Sequence, residues 1–233
     1  NINGGLDGIE IEIPPLNVKP TAGEYFPINI QVKDPIWPLR NMFDFSFSVK
    51  PNEARTLWMD LRDRIIPGDK PLYLTIAGSG ADFSPTMLEG AKIKLVFKPW
   101  NDAKKEHIAD RFTQSRDNYD MIIEEHTKDR RLSKYNQFEA DMTSLLQVEP
   151  DHYPGRNYWF VYNPEQPKPS FTQPAPPQGV PLWAFRQVED MKGYEKIVDW
   201  YIDKREFKNE GLGGGLSDDS DLENVWPPLV LMG

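Results

Sequence analysis

The chain contains no cysteine. That excludes disulfides, thiol nucleophiles and thiolate metal sites together. Histidine is nearly as scarce: His107, His126 and His152 are the only three, too scattered to form a zinc-ligand motif. Positive charge is also in deficit. Lys and Arg number 27 against 36 Asp and Glu, a formal charge of −9, whereas nucleic-acid phosphates and anionic membrane surfaces are met by clustered cations. No apolar run approaches the ~20 residues that a bilayer span needs. Nucleic acid and a membrane span are therefore not expected among the partners.

Rings and prolines are plentiful. Seven Trp and 22 Pro suit loop-rich β-structure with stacking surfaces. A hydrophobic fraction of 39% is too rich for a disordered chain. At 233 residues, one large domain or two small ones fit, with a sizeable core.

Residues 9–97 read as β. Ile9-Glu10-Ile11-Glu12-Ile13 alternates strictly, Ile28-Asn29-Ile30-Gln31-Val32 repeats the pattern, and Phe43-Asp44-Phe45-Ser46-Phe47-Ser48-Val49 has one aromatic and one polar face. Residues 56–61, 72–77 and 93–97 are further strands, separated by turn material such as Pro14-Pro15, Pro51-Asn52-Glu53 and Pro67-Gly68-Asp69. Six short strands without intervening helices predict an antiparallel, jelly-roll-like β-sandwich over residues 1–100. Gly78-Ser79-Gly80 between strands lacks both the lysine of a phosphate loop and the context of a nucleophile elbow, and reads as a turn.

From residue 101 the period changes. Ile108, Phe112, Ser115, Tyr119, Ile122 and His126 recur in steps of three and four, and Leu132, Tyr135, Phe138, Met142, Leu145 and Leu146 continue in the same manner. The intervening charges, as in Lys128-Asp129-Arg130-Arg131, read as a solvated face. An aromatic run follows at residues 153–162, then a proline-rich loop over 163–181. Helical spacing returns with Trp183, Val188, Met191, Ile197, Val198 and Trp200, with a break expected at Gly193. The expected class is thus α+β, with the helical region spanning 101–233.

The stretch that concentrates reactive groups is Gly211-Leu212-Gly213-Gly214-Gly215-Leu216-Ser217-Asp218-Asp219-Ser220-Asp221-Leu222-Glu223-Asn224-Val225-Trp226. Glycines free the backbone for close approach, and paired carboxylates can cleave a glycosidic bond if one of them is kept protonated. Asp218, Asp219, Asp221 and Glu223 are therefore candidate acids and bases, with Trp226 as a stacking platform. The bland alternative is a solvated loop whose acids cap a following helix. Asp219-x-Asp221-x-Glu223 also offers alternate oxygens to Ca2+; no other metal or cofactor is expected. In the aromatic run, Tyr153, Arg156, Asn157, Tyr158 and Trp159 are candidates for a sugar-binding wall, the alternative being a core beneath the loop. His152 beside them is a candidate base, and for β-elimination Tyr153 and Tyr158 join it.

A six-stranded sandwich followed by helices and by Gly213-Gly214-Gly215-Leu216-Ser217-Asp218-Asp219-Ser220-Asp221 resembles large secreted polysaccharide-degrading enzymes in which β-sandwich modules accompany an (α/α) toroid. The resemblance covers about half the chain and is architectural, not diagnostic of one family. It implies a secreted or periplasmic carbohydrate-active enzyme, a glycoside hydrolase or a polysaccharide lyase, with a polysaccharide or oligosaccharide as partner. A toroid needs several hundred residues. The sequence starts at Asn1, and Val225-Trp226-Pro227-Pro228 reads as the first turn of a helix behind the capping box Ser220-x-x-Glu223. The chain is therefore expected to be a piece of a larger enzyme, completed by the rest of its catalytic domain. The rival expectation is a non-catalytic carbohydrate-binding or assembly protein presenting Trp37, Trp58 and Trp100.

Overall fold

The computed structural model describes residues 4–124 and 127–204. They form an α+β protein in which the strands come first: β1 (Gly4–Ile13), β2 (Phe26–Asp34), β3 (Trp37–Val49), β4 (Arg55–Arg64), β5 (Leu74–Gly78) and β6 (Lys92–Pro99). Helices α1 (Trp100–Glu124), α2 (Lys128–Val148), α3 (Tyr153–Tyr162) and α4 (Leu182–Lys204) follow. All six stretches read as strands contain one, the fifth starting at Leu74 rather than at residue 72. They build two antiparallel three-stranded sheets, ordered β4-β1-β6 and β3-β2-β5.

The two-residue period decides what each sheet buries. Ile9, Ile11 and Ile13 of β1 and Ile28, Ile30 and Val32 of β2 are buried and enter one hydrophobic cluster with Phe26, Val49, Met59 and Leu61. Both sheets therefore contribute to a single core, and each fully buried aliphatic adds roughly 1.5–3 kcal/mol. On the other face of β1, Glu10 and Glu12 stand beside Lys94 and Lys92 of β6 and pair with them at 3.6 and 2.9 Å, as opposite charges across a ladder should. Phe43, Phe45 and Phe47 lie on the core side, in register with Val32, Ile30 and Ile28. Because β3 is an edge strand, Phe45 remains 43% exposed.

A second cluster joins the helices. Ile122 of α1 and Phe138, Met142 and Leu145 of α2 are buried against Tyr158, Trp159 and Tyr162 of α3. Tyr119 and Tyr158 meet edge to face at 4.8 Å, the arrangement that ring quadrupoles favour. Helix α1 also packs on β1, β4 and β6.

The aromatic run is itself a helix, α3. Pro154 sits in its first turn, where a missing N–H costs nothing, and the side chain of His152 caps it by accepting from the Gly155 N–H at 3.1 Å. A Cβ on Gly155 would stand 2.8 Å from His152 Nδ1 and 3.2 Å from both Leu145 Cδ2 and Met142 Sδ. Overpacking of that kind costs about 1–3 kcal/mol, against a helix-propensity gain of up to ~1 kcal/mol. Gly155→Ala is therefore expected to lower stability by about 1 kcal/mol in a thermal or urea melt. A gain would mean that α2 yields to the methyl group.

The chain divides into two compact units, residues 1–168 and 169–233. The strands and α1–α3 lie in the first. The second, as far as it is described, holds the proline-rich run and α4. The break expected at Gly193 is absent: α4 is one helix of 23 residues. An isolated interior glycine costs only ~1 kcal/mol relative to alanine, and nothing crowds Gly193, so the helix passes through it. Arg186 Nε ties α4 to the preceding loop by donating to Gln173 Oε1 at 2.8 Å. Among the described residues no helix is long and apolar enough to cross a membrane.

Candidate functional site

The first sheet is irregular around Leu6 and Gly8 of β1, on both ladders but most against β4. Leu6 pairs with Arg64 but Gly8 with Asp60, so β4 advances four residues while β1 advances two. The surplus makes a bulge, a device that redirects side chains at a sheet's rim. Within it Arg62 adopts a φ of +54°, a left-handed conformation that a long side chain rarely takes. Asp60 Oδ1 fixes the turn by accepting the Arg62 N–H at 3.0 Å.

Bulge, β3 and α1 enclose an open cleft of about 430 Å3, with Arg40, Arg62, Arg64, Asp60, Asp110 and Gln114 in its walls. Met42, Phe43 and Leu61 are the apolar part of the lining. A neighbouring depression of about 620 Å3 shares Asp60, Arg62, Asp110 and Gln114 and continues past Glu106 and Thr113 of α1.

Beneath the cleft is a closed square of charges from four elements. Asp34 ends β2, Arg40 lies on β3, Arg111 on α1 and Asp141 on α2. Arg40 Nη2 reaches Asp34 Oδ2 at 2.8 Å and Asp141 Oδ1 at 2.6 Å, while its Nη1 reaches Asp141 Oδ2 at 2.7 Å. Arg111 Nη1 donates to Asp34 Oδ2 at 2.7 Å and to Asp141 Oδ1 at 3.0 Å, and its Nη2 donates to Asp34 Oδ1 at 3.1 Å. Burial alone would raise the Asp34 carboxyl, but the Arg111 hydrogen bond and the charges of Arg111 and Arg40 override it and hold the group at about 2. For Arg40 burial opposes the charge, yet the bonds to Asp141 and Asp34 raise it.

Beside the square, Arg64 pairs with Asp110. Burial, followed by the Arg111 charge, pushes Arg64 down to about 9, still a cation at neutral pH. His107 of α1 is fully buried. Its Nδ1 accepts the Ile65 N–H at 3.1 Å, and its Nε2 lies 3.4 Å from Ser144 Oγ of α2. An accepting Nδ1 requires the neutral ring, which agrees with burial and the Arg111 and Arg64 charges pushing it down to about 3.

The sequence candidates of the aromatic run share α3, with their side chains at separate tasks. His152 caps the helix, and burial lowers its basicity. Arg156 Nε donates to the Pro150 carbonyl at 2.6 Å, and Asn157 Nδ2 to the Tyr153 carbonyl at 2.9 Å. Tyr153 is half exposed. Trp159 stacks on Phe138, and Tyr158 packs on Phe112 and Tyr119. Burial, then the Asp120 charge, raises the Tyr158 phenol. Asp218, Asp219, Asp221, Glu223 and Trp226 lie outside the described residues, as does the calcium reading of the acidic loop. Among the described residues no group of three His, Asp or Glu is placed to hold a metal ion.

The charge square and the cleft above it escaped the sequence reading. The available signal was polar residues in apolar register: Asp34 continues the buried series Ile28, Ile30, Val32, and Asp141 sits between the buried Phe138 and Met142. The chain matches no protein-family model, no curated protein and no solved structure.

Proposed function

We propose that this chain is part of a carbohydrate-active enzyme that cleaves glycosidic bonds in a polysaccharide, secreted or periplasmic. The observation that carries the reading is the chemistry of the cleft: guanidiniums, carboxylates and two amides outnumber its apolar groups. A ligand that covers such walls must return hydrogen bonds, because each buried polar group left unmatched costs about 1–3 kcal/mol. A sugar chain offers hydroxyls throughout, and Phe43 gives its C–H faces one apolar surface. In this reading the two sheets are a jelly-roll-like sandwich and the helices open an (α/α) toroid. Asp218, Asp219, Asp221 and Glu223 supply the acid and the base, one of them held protonated. Elimination at a uronic acid, with His152, Tyr153 or Tyr158 taking the proton, is the variant of the same reading.

One observation favours a second reading, non-catalytic glycan binding. Trp58 stands on the outer face of the first sheet, half exposed, with its ring against Gly8, where a Cβ would lie 2.3 Å from the ring's Cζ2. A ring held against Gly8 and paired across the ladder with Glu10 suits sugar stacking. A glycan panel read by reducing ends and by the ultraviolet absorbance of unsaturated products separates the readings. Asp219→Asn and Asp221→Asn are expected to abolish turnover, by roughly 100-fold or more for a true acid/base residue. Binding without turnover in every variant leaves the binding module.

A further inference from the structure

We propose that the cleft between the β4 bulge and α1 is a subsite for the carboxylate of an acidic sugar, received by Arg62. The proposal rests on the carbohydrate reading above and narrows its substrate class to uronic-acid-containing chains.

The donors already spent set Arg40 and Arg62 apart. A guanidinium has five N–H donors, and Arg40 uses all of them: Nε on Asp34, Nη1 on Asp141 and Gln114, Nη2 on Asp34 and Asp141. It lines the cleft but has nothing left for a ligand. Arg62 is its opposite. The side chain is exposed and, among the described residues, has no hydrogen bond or ion pair, while its backbone is held at φ +54°. A residue kept in a sparsely populated conformation costs about 1–3 kcal/mol, and such residues cluster where a side chain must be presented.

Two deeper residues line the same cleft. Arg64, with its side chain 8% exposed, has an Nε without a hydrogen-bond partner although Asp110 balances its charge. Gln114 Oε1 accepts from Arg40, so its amide is oriented and Nε2 remains as a donor. Arg62 at the mouth and the Gln114 amide in the wall match a carboxylate and the oxygen beside it, with the bidentate geometry that guanidinium favours, while the Arg64 cation beneath adds to the positive field.

The carboxylates in the cleft select the rest of the ligand. Asp60 keeps Oδ2 after holding the bulge, and Asp110 keeps Oδ1 after pairing with Arg64. Both accept hydroxyl protons and repel a compact dianion such as sulfate or phosphate. A singly charged polyol satisfies both signs at once, as a uronic acid does, with its one carboxylate on a ring of hydroxyls.

The test is calorimetric titration of the whole chain with a galacturonic-acid trisaccharide, the matching galactose trisaccharide and inorganic sulfate. Arg62→Asn removes the cation while keeping a residue that tolerates the left-handed conformation; Arg62→Lys keeps the charge and loses the fork. The acidic trisaccharide is expected to bind wild type in preference to both other probes. Its affinity should fall roughly tenfold or more in Arg62→Asn and recover in part in Arg62→Lys, with unchanged melting curves. Equal affinity in wild type and Arg62→Asn, or sulfate binding as tightly as the trisaccharide, overturns the subsite. If both trisaccharides bind alike in every variant, the acidic subsite falls and the carbohydrate reading stands. If neither binds any of them, both fall.

Discussion

Replacing Asp141 with alanine is expected to lower the unfolding free energy by about 3–5 kcal/mol. The side chain is fully buried and accepts from Arg40, Arg111 and Asn118. Its loss leaves two guanidiniums to share Asp34, and an uncompensated buried charge is among the costliest defects a point substitution can make. Asp141→Asn keeps the shape but not the charge, so it should recover only part of the loss. The square spans β2, β3, α1 and α2, which binds the second sheet to the helical pair. Urea unfolding followed separately by near-ultraviolet and helical signals reads both consequences: a lower midpoint, and less coincidence of the two signals. A loss below about 1 kcal/mol would mean that solvent relaxes around the square and that the apolar clusters alone join sheets and helices.

Much of the secondary structure was legible for a simple reason. A half-buried strand must alternate, and Ile9 to Ile13, Ile28 to Val32 and Phe43 to Val49 do. The steps of three and four that mark α1 and α2 follow equally from a buried stripe. Misreading began where a local signal met a tertiary one. Gly193 looks like a breaker in sequence, although one interior glycine is a small cost to a long helix. Pro154-Gly155 masked α3, yet the proline fits a first turn and the glycine lets α3 approach Met142 and Leu145. The charge square was the least legible feature. Asp34 and Arg40 lie six residues apart, but the other three links span 77, 101 and 30 residues, and pattern alone does not name a partner at that distance. Lys and Arg amid Asp and Glu read as solvated, whereas Arg111 is the largest fully buried side chain among the described residues. The aromatic run divides for the same reason: Tyr158 and Trp159 meet rings from α1 and α2, while Tyr153, at the start of α3, stays half exposed.

Stability should fall steadily with acidification, starting near pH 6.5, and His107 is the main group responsible, with His152 shifted in the same direction. In the folded chain burial and the charges of Arg111 and Arg64 hold it near 3, against 6.5 when free. Between those values the unfolded chain carries a proton that the folded chain does not, so added protons favour unfolding. The contribution is whole above about pH 6.5, shrinks as pH falls, and stops shrinking near pH 3, where the folded state also binds the proton. Its slope is about 1 kcal/mol per pH unit. Asp34 acts later, because its carboxyl is depressed from 3.8 to about 2 and its contribution is lost only across that interval. His107→Asn separates the two. An asparagine oxygen can take the Ile65 N–H in place of Nδ1, and it does not titrate. Urea midpoints from pH 7 to pH 4 should then fall less steeply than in wild type, by roughly one proton's worth of slope, whatever the variant loses at pH 7. Parallel slopes would mean that His107 protonates in the folded state and that the Ile65 N–H releases Nδ1 at mild acidity.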